Sequence, residues 1–307
     1  MNNSVAAIVV TYNRRELLEK CLLALYNQLM PLQKIILVDN CSADGTKDML
    51  MSRGFIEGGL IDYIRLEENT GGAGGFSVGL KRGYELGFDW FWLMDDDALP
   101  NPDALHEILL VAKNTQNVYG SVAKSGCKTS WILTLRSGCN KFIMVENLEE
   151  VPALSEVSSL PFLGFLIHRE LVEKIGMPDA QFFISCDDVE YCERAKKAGA
   201  SIFVAGKSRL EHPKALQTKI NIFGHTIYYL QLSPWKRYYD TRNRIILARR
   251  HFGGRFFYQT IPGIIVRMIF ALMREKDRWH QAKAFMVGIF DGVRGLGGKR
   301  HERWNIN

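Results

Sequence analysis

The 307-residue sequence has only six cysteines (Cys21, Cys41, Cys127, Cys139, Cys186 and Cys192) and no CxxC pair. Neither a zinc site nor a disulfide framework is expected without such spacing, and the thiols read as reduced cysteines of a cytosolic protein. No secretory leader is expected either, since Met1-Asn2-Asn3-Ser4 runs directly into the strand-like Val5–Val10. No clean span of about 20 apolar residues exists either. The most apolar long stretch, Phe256–Met273, is interrupted by Gln259, Thr260, Pro262 and Arg267, so no membrane-crossing helix is expected. The glycine-rich Gly71–Gly75 is not followed by Gly-Lys-Ser/Thr, which excludes a Walker A loop. A dinucleotide fingerprint should follow the first strand, where Tyr12-Asn13-Arg14 stands instead. No recognisable nucleic-acid-binding module is visible.

What is present describes a globular protein with a real core, 47% hydrophobic and 23% charged. The net charge of +6 conceals an asymmetry. Residues 1–206 carry 19 Lys and Arg against 27 Asp and Glu, whereas residues 207–307 carry 20 against 6. A basic C-terminal third on an acidic body suggests an anionic surface partner. Basic residues mixed with Trp279, Phe285, Ile289, Phe290 and Trp304 suit an anionic membrane interface, or else a helical subdomain packed on the body.

Apolar runs at Val5–Tyr12, Lys34–Asp39 and Ile61–Leu66 read as buried strands, separated by helical spacing over Arg15–Leu29 and a turn at Ser42–Thr46 that opens another helix. Strand and helix in alternation predict an α/β fold with a mostly parallel sheet covered by helices. Ligands of such sheets bind at the carboxyl ends of the strands. Thr11-Tyr12-Asn13, Asp39 and Asp95-Asp96-Asp97 all fall there.

The acidic triplet ends the aromatic run Phe91–Met94. Three adjacent carboxylates repel one another, a conflict that a divalent cation with a taste for hard oxygen ligands resolves. In an extended segment Asp95 and Asp97 share a face and can approach one ion; the plain alternative is a solvated turn capping a helix near Pro102. Asn69–Phe76 leads into a helix expected over Ser77–Leu86, and its glycines can border a phosphate or sugar or simply make a connection. A second pair, Asp187-Asp188, can cap the helix Val189–Ala198, but a helix needs one cap, leaving a candidate general base. His212 falls in a loop with a structural or a ligand role. A further helix is expected from Tyr228 to about His251, with Arg237, Arg242 and Arg244 able to bind a diphosphate or to form a solvated face.

Together, Ile8–Arg14, Val38-Asp39-Asn40, the acidic triplet, Asp187-Asp188 and His212 resemble the family 2 inverting glycosyltransferases of GT-A fold, over roughly residues 5–215. The resemblance implies a GT-A domain over residues 1–215 and a basic, amphipathic helical region over 216–307, associated with a membrane. It implies that Thr11, Tyr12, Asn13, Arg14 and Asp39 hold the nucleotide of a sugar donor, with Gly71, Gly72, Asp95 and Asp96 bordering it. Mn²⁺ or Mg²⁺ on the donor diphosphate would be bound by Asp95 or Asp96 with Asp97, and Asp188 would be the base, with Asp187 close behind. The glycine-rich stretch, the triple aspartate and His212 look most like bacterial galactofuranosyltransferases, in which the histidine completes the metal site. Tyr238-Tyr239 with Arg242-Asn243 is similar to a segment of polysaccharide rhamnosyltransferases. The expected reaction is therefore transfer of galactofuranose, or of rhamnose from a deoxythymidine diphosphate donor, to a lipid-diphosphate-linked or polysaccharide acceptor. The expected location is the cytoplasmic face of the plasma membrane. The contrasting reading is an inactive sugar-nucleotide-binding module. Nucleic acid is not an expected partner, and the oligomeric state is left open.

Overall fold

The computed structural model describes residues 4–138, 141–214, 217–222 and 225–306. Cys139 and the expected domain boundary at 215–216 lie outside the described residues. The chain forms two compact units, residues 1–178 with 191–214, and residues 179–190 with 215–307.

In the first unit the strands are β1 (Val5–Thr11), β2 (Lys34–Asp39), β3 (Ile61–Arg65), β4 (Trp90–Asp95), β5 (Leu99–Pro100), β6 (Val118–Ser125), β7 (Lys128–Ser137), β8 (Lys141–Asn147), β9 (Ser155–Glu156), β10 (Leu163–His168) and β11 (Ile202–Glu211). The helices are α1 (Arg15–Tyr26), α2 (Thr46–Ser52), α3 (Gly71–Glu85), α4 (Ala104–Val111), α5 (Arg169–Ile175) and α6 (Asp187–Lys197), the last beginning in the second unit. The sheet runs β3-β2-β1-β4-β10-β6-β11-β5. Its first four strands are parallel, as are β6 and β11, while β10 is antiparallel to both its neighbours. The result is a mixed α/β fold with a mostly parallel central sheet flanked by helices, as expected.

Strand periodicity divides the core into two layers. Ala6, Ile8 and Val10 join Ile36, Val38, Phe91 and Leu93 on one face, under Phe76 and Leu80 of α3. Val5, Ala7 and Val9 join Ile35, Leu37, Trp90 and Trp92 on the other, under Leu18 and Leu22 of α1 and Leu105 and Ile108 of α4. Burial on both faces explains why β1 and β2 read as continuous apolar runs.

Helix α3 starts at Gly71, six residues before the start expected from the sequence, so four of the five residues Gly71–Gly75 are glycines inside a helix. Glycine is a weak helix former, and here close packing overrides propensity. A Cβ on Gly75 would stand 2.5 Å from Cγ1 of Val10, and one on Gly79 2.5 Å from Cγ2 of Ile8. The bare face lets α3 lie directly on β1.

The second unit holds the hairpin of β12 (Gln217–Ile222) and β13 (His225–Leu230), then α7 (Pro234–His251), α8 (Ile261–Arg274) and α9 (Arg278–Arg294). Tyr228, from which a helix was expected, lies in β13, and Pro234 instead supplies the helix start. Helix α7 is unusual in burying polar side chains, among them Arg237, Asp240, Thr241, Arg242 and Asn243. A π-helical turn at Phe256–Thr260 runs into α8, giving one continuous helix, Phe256–Arg274. At 19 residues it is long and apolar enough to cross a membrane by length and composition, which the interrupting polar residues had argued against.

Candidate active site

The turn of the sheet order between β1 and β4 places the carboxyl ends of these strands side by side, with Val10 in register with Asp95. This is where open α/β sheets bind ligands. The chain turns at Asp96-Asp97, so strand alternation stops at Asp95 and the triplet does not present Asp95 and Asp97 as an extended pair. Asp96 instead points inward, where Oδ2 accepts a 2.7 Å bond from the Thr11 hydroxyl and Oδ1 a 3.2 Å bond from Arg14 Nη1. Burial pushes the Asp96 carboxyl above its ordinary range against the pull of Thr11 and Arg14.

Asp97 behaves oppositely. Burial raises its pKa, but His212 and Arg14 outweigh that and hold it below the usual carboxylate range. Arg14 Nη1 donates to Oδ2 of Asp97 at 2.8 Å, and His212 Nε2 stands 3.4 Å from Oδ1. That oxygen is buried and has no hydrogen-bond partner among the described residues. His212 follows β11 directly and is fixed by its backbone N–H to Lys124 O, by a bond from Ser130 Oγ to its carbonyl, and by Trp131, whose ring lies 5.0 Å away. Its Nδ1 lies 2.8 Å from Pro213 O. A carbonyl only accepts, so Nδ1 carries a proton, and Nε2 is the ring nitrogen turned toward Asp97.

A buried carboxylate oxygen facing an imidazole nitrogen is a donor pair that fits Mn²⁺ or Mg²⁺. Of the expected trio, Asp97 and His212 come together. Among the described residues no three His, Cys, Asp or Glu side chains gather to hold a metal, and Asp95 stays at the end of β4.

At the end of β2, Asp39 is fully buried, with Oδ1 accepting from Ser42 N–H at 2.7 Å and Oδ2 from Tyr63 OH at 2.7 Å. Asn13, at φ 52°, donates its N–H to Ser42 Oγ and accepts from Ala43 N–H, which ties the turns after β1 and β2 together. Tyr12 is 44% exposed beside them. Gly71 has φ +74° and its carbonyl accepts from Asn40 Nδ2, while space above Gly72 is open.

Asp187 and Asp188 form the first turn of α6, in the second unit. Both pKa values are raised, chiefly by burial; for Asp187 the charge of Asp188 adds to the rise, whereas backbone N–H groups, Val189 first, and then Arg244 pull Asp188 down. The pair therefore holds a proton that two separate surface carboxylates would lose, and Asp188 is the member favoured to ionise. Arg244 is itself held by Asp240, with Nη2 and Oδ1 2.9 Å apart.

The sequence model described as Glycosyl transferase family 2 matches residues 6–176, more than half of the chain. This chain belongs to that family. The protein is thus a glycosyltransferase, and the expected family resemblance holds. It is 29% identical over 252 residues to the galactofuranosyltransferase GlfT1 of Mycolicibacterium smegmatis, covering 78% of this chain and 81% of that one. It is 26% identical over 309 residues to the dTDP-rhamnosyl transferase RfbF of Shigella flexneri, covering 98% and 99%. Its fold is similar to that of GalNAc-T7 crystallised with UDP, GalNAc and Mn²⁺, with a TM-score of 0.64 at 12% identity over 99% of this chain and 58% of that one.

Several residues that build this end of the sheet were not singled out in the sequence. Ser42 and Asp44 read only as turn formers, yet Ser42 bonds Asn13 and Asp39, and Asp44 accepts from Arg15 N–H and Thr46. Tyr63 belonged to an apolar run, and only the register of β3 on β2 brings its hydroxyl to Asp39.

Proposed function

We propose that this glycosyltransferase transfers galactofuranose from UDP-galactofuranose, with inversion and with help from Mn²⁺ or Mg²⁺, to a lipid-diphosphate-linked or polysaccharide acceptor of a bacterial surface glycan. The observation that carries this reading is the apposition of His212 and Asp97, the histidine being the feature that resembles the galactofuranosyltransferase branch. The similarity to GlfT1 supports the same sugar. A rhamnosyl donor is the second reading, favoured by end-to-end similarity to RfbF.

In this reading Thr11, Tyr12, Asn13, Arg14 and Asp39 hold the nucleotide, with Gly71, Gly72 and Asp96 at its border. Asp97 and His212, with Asp95 two residues before Asp97, would hold the cation, which when bound neutralises charge on the departing diphosphate. Asp188 takes the proton of the acceptor hydroxyl as that oxygen forms its bond to the anomeric carbon. The carbon–oxygen bond to the diphosphate breaks, and nucleoside diphosphate leaves from the opposite face. Asp187, kept protonated, leaves a single negative charge on the pair. The inactive-module alternative gives no reason for a carboxylate held ready to take a proton.

The second unit would keep the enzyme at the cytoplasmic face of the plasma membrane. Phe257, Ile265, Ile269 and Met273 are exposed on Phe256–Arg274, and Arg255, Arg274, Lys276 and Arg278 are exposed near its two ends, a composition suited to an anionic bilayer surface. Calorimetric titration with UDP-galactofuranose and dTDP-rhamnose tests the donor. Preferred binding of the first supports this reading, and preferred binding of the second replaces it.

A further inference from the structure

Six non-glycine residues among those described have positive φ, and three of them crowd into one loop: Phe183 at 63°, Ser185 at 71° and Cys186 at 64°. L-residues adopt this region at a cost and keep it only where the surroundings impose it. Phe183, with ψ −63°, makes a γ-turn of the strained hand, closed by a 2.8 Å bond from Ile184 N–H to Phe182 O. The next residues are Asp187 and Asp188.

Two neighbouring side chains of α7 impose that path. Nδ2 of Asn243 lies 2.9 Å from Phe182 O, 2.7 Å from Ile184 O and 2.8 Å from Ser185 O. Nη2 of Arg242 donates to Gln181 O at 3.1 Å and to Phe182 O at 2.9 Å, and its Nη1 to Gly298 O at 2.7 Å. Nε of Arg242 also donates to Oδ1 of Asn243 at 2.8 Å, which turns the NH₂ end of the amide toward the loop. Both residues are fully buried. The ring of Tyr239 sits 4.7 Å from the Arg242 guanidinium and stacks 4.9 Å from Phe183, fixing the loop by a side chain as well as by its carbonyls.

We propose that Arg242 and Asn243 are positioning residues for glycosyl transfer, holding the strained loop 182–186 on the path that delivers Asp187 and Asp188 to the first turn of α6. The inference rests on Asp188 being the base. A glycine at each strained position would follow the same path without a clamp. This chain has Phe, Ser and Cys there, so the path depends on the bonds from α7. Loss of the clamp lets the loop relax and displaces the carboxylates, and small displacements of reacting groups are costly in rate.

The test compares full-length wild type, Asn243→Ala, Asn243→Ala with Ser185→Gly, Arg242→Lys and Asp188→Asn, following nucleoside diphosphate release with Mn²⁺, donor and acceptor. Asn243→Ala should lower kcat roughly 10- to 100-fold while donor KM stays near wild type. Ser185→Gly, which accepts positive φ freely, should restore part of that loss. Folded Asn243→Ala with wild-type kcat, or with raised KM and unchanged kcat, overturns the inference. If Asn243→Ala does not fold, Arg242→Lys is read by the same kcat and KM criteria, and an unchanged kcat is again decisive. Asp188→Asn separates the two claims. If it keeps activity the base assignment falls, whereas if it is inactive and the α7 variants are not impaired, only the positioning role falls.

Discussion

Nε2 of His212 and Oδ1 of Asp97 face one another across 3.4 Å, and the other nitrogen of the imidazole is engaged by the Pro213 carbonyl. With Nδ1 engaged, Nε2 is the nitrogen left to share a cation with Asp97 Oδ1 in the proposed mechanism. Chelation should therefore abolish transfer, and Asp97→Ala and His212→Ala should each lower it at least about 100-fold. Added Mn²⁺ should restore the chelated wild type but neither variant. Full activity of His212→Ala in EDTA would remove the metal from the account.

The Thr11 hydroxyl makes the shortest bond to the buried Asp96. Thr11→Val keeps the shape and removes the donor, leaving a buried carboxylate oxygen short of a partner. Urea unfolding should show a loss of about 1–3 kcal/mol, and an unchanged midpoint would mean that the bond contributes nothing.

Two glycines of α3 face different surroundings. Gly79→Ala forces a methyl to within 2.5 Å of Ile8 and should cost about 1–3 kcal/mol by overpacking. Gly72→Ala meets open space and should leave stability within about 0.5 kcal/mol of wild type. Equal effects would contradict the close contact of α3 with β1.

The acidic pair predicts a direction for pH. Both carboxyls have folded-state pKa values raised above those of the unfolded chain, so the folded protein binds more protons in the interval between. The unfolded chain binds fewer, and stability falls as pH rises from about 4, the ordinary carboxylate value, through the raised values. Asp188→Asn should flatten that decline and be the more stable protein at its upper end, at the expense of activity. Melting curves across pH check this, and a wild-type stability that rises over the same interval contradicts it.

Membrane attachment by the second unit predicts sedimentation with anionic vesicles at low salt. Ile269→Glu with Met273→Glu should weaken it at least about 10-fold. Equal recovery of wild type and variant would remove the exposed face of α8 from the account.

Much of the first unit was legible because burial on both faces writes itself into the sequence as unbroken apolar runs. Lys34–Asp39 was bounded correctly to the residue. The strand-end positions of Thr11, Asp39 and Asp95 followed from the same pattern. Legibility failed where tertiary contact overrides local preference. Gly71–Gly75 read as a loop because glycine disfavours helices, and only contact with Val10 shows why a helix carries them. Helix α7 was read from Tyr228, six residues too early, and its arginines were read as diphosphate ligands or a solvated face, whereas Arg242 and Asn243 give their donors to loop carbonyls. Pairings between distant residues, such as Tyr63 with Asp39 or His212 with Asp97, are products of sheet register, and no local pattern announces them.

In the proposed mechanism, transfer from a nucleotide-sugar needs both the Asp97–His212 cation site and the Asp188 base. The most direct measurement is nucleoside diphosphate release from UDP-galactofuranose with Mn²⁺ and a lipid-diphosphate acceptor, comparing wild type, Asp97→Ala and Asp188→Asn. Wild type should show acceptor- and metal-dependent release, lost in both variants while Asp188→Asn still binds the donor. Release that persists in Asp188→Asn at the wild-type rate would contradict that mechanism.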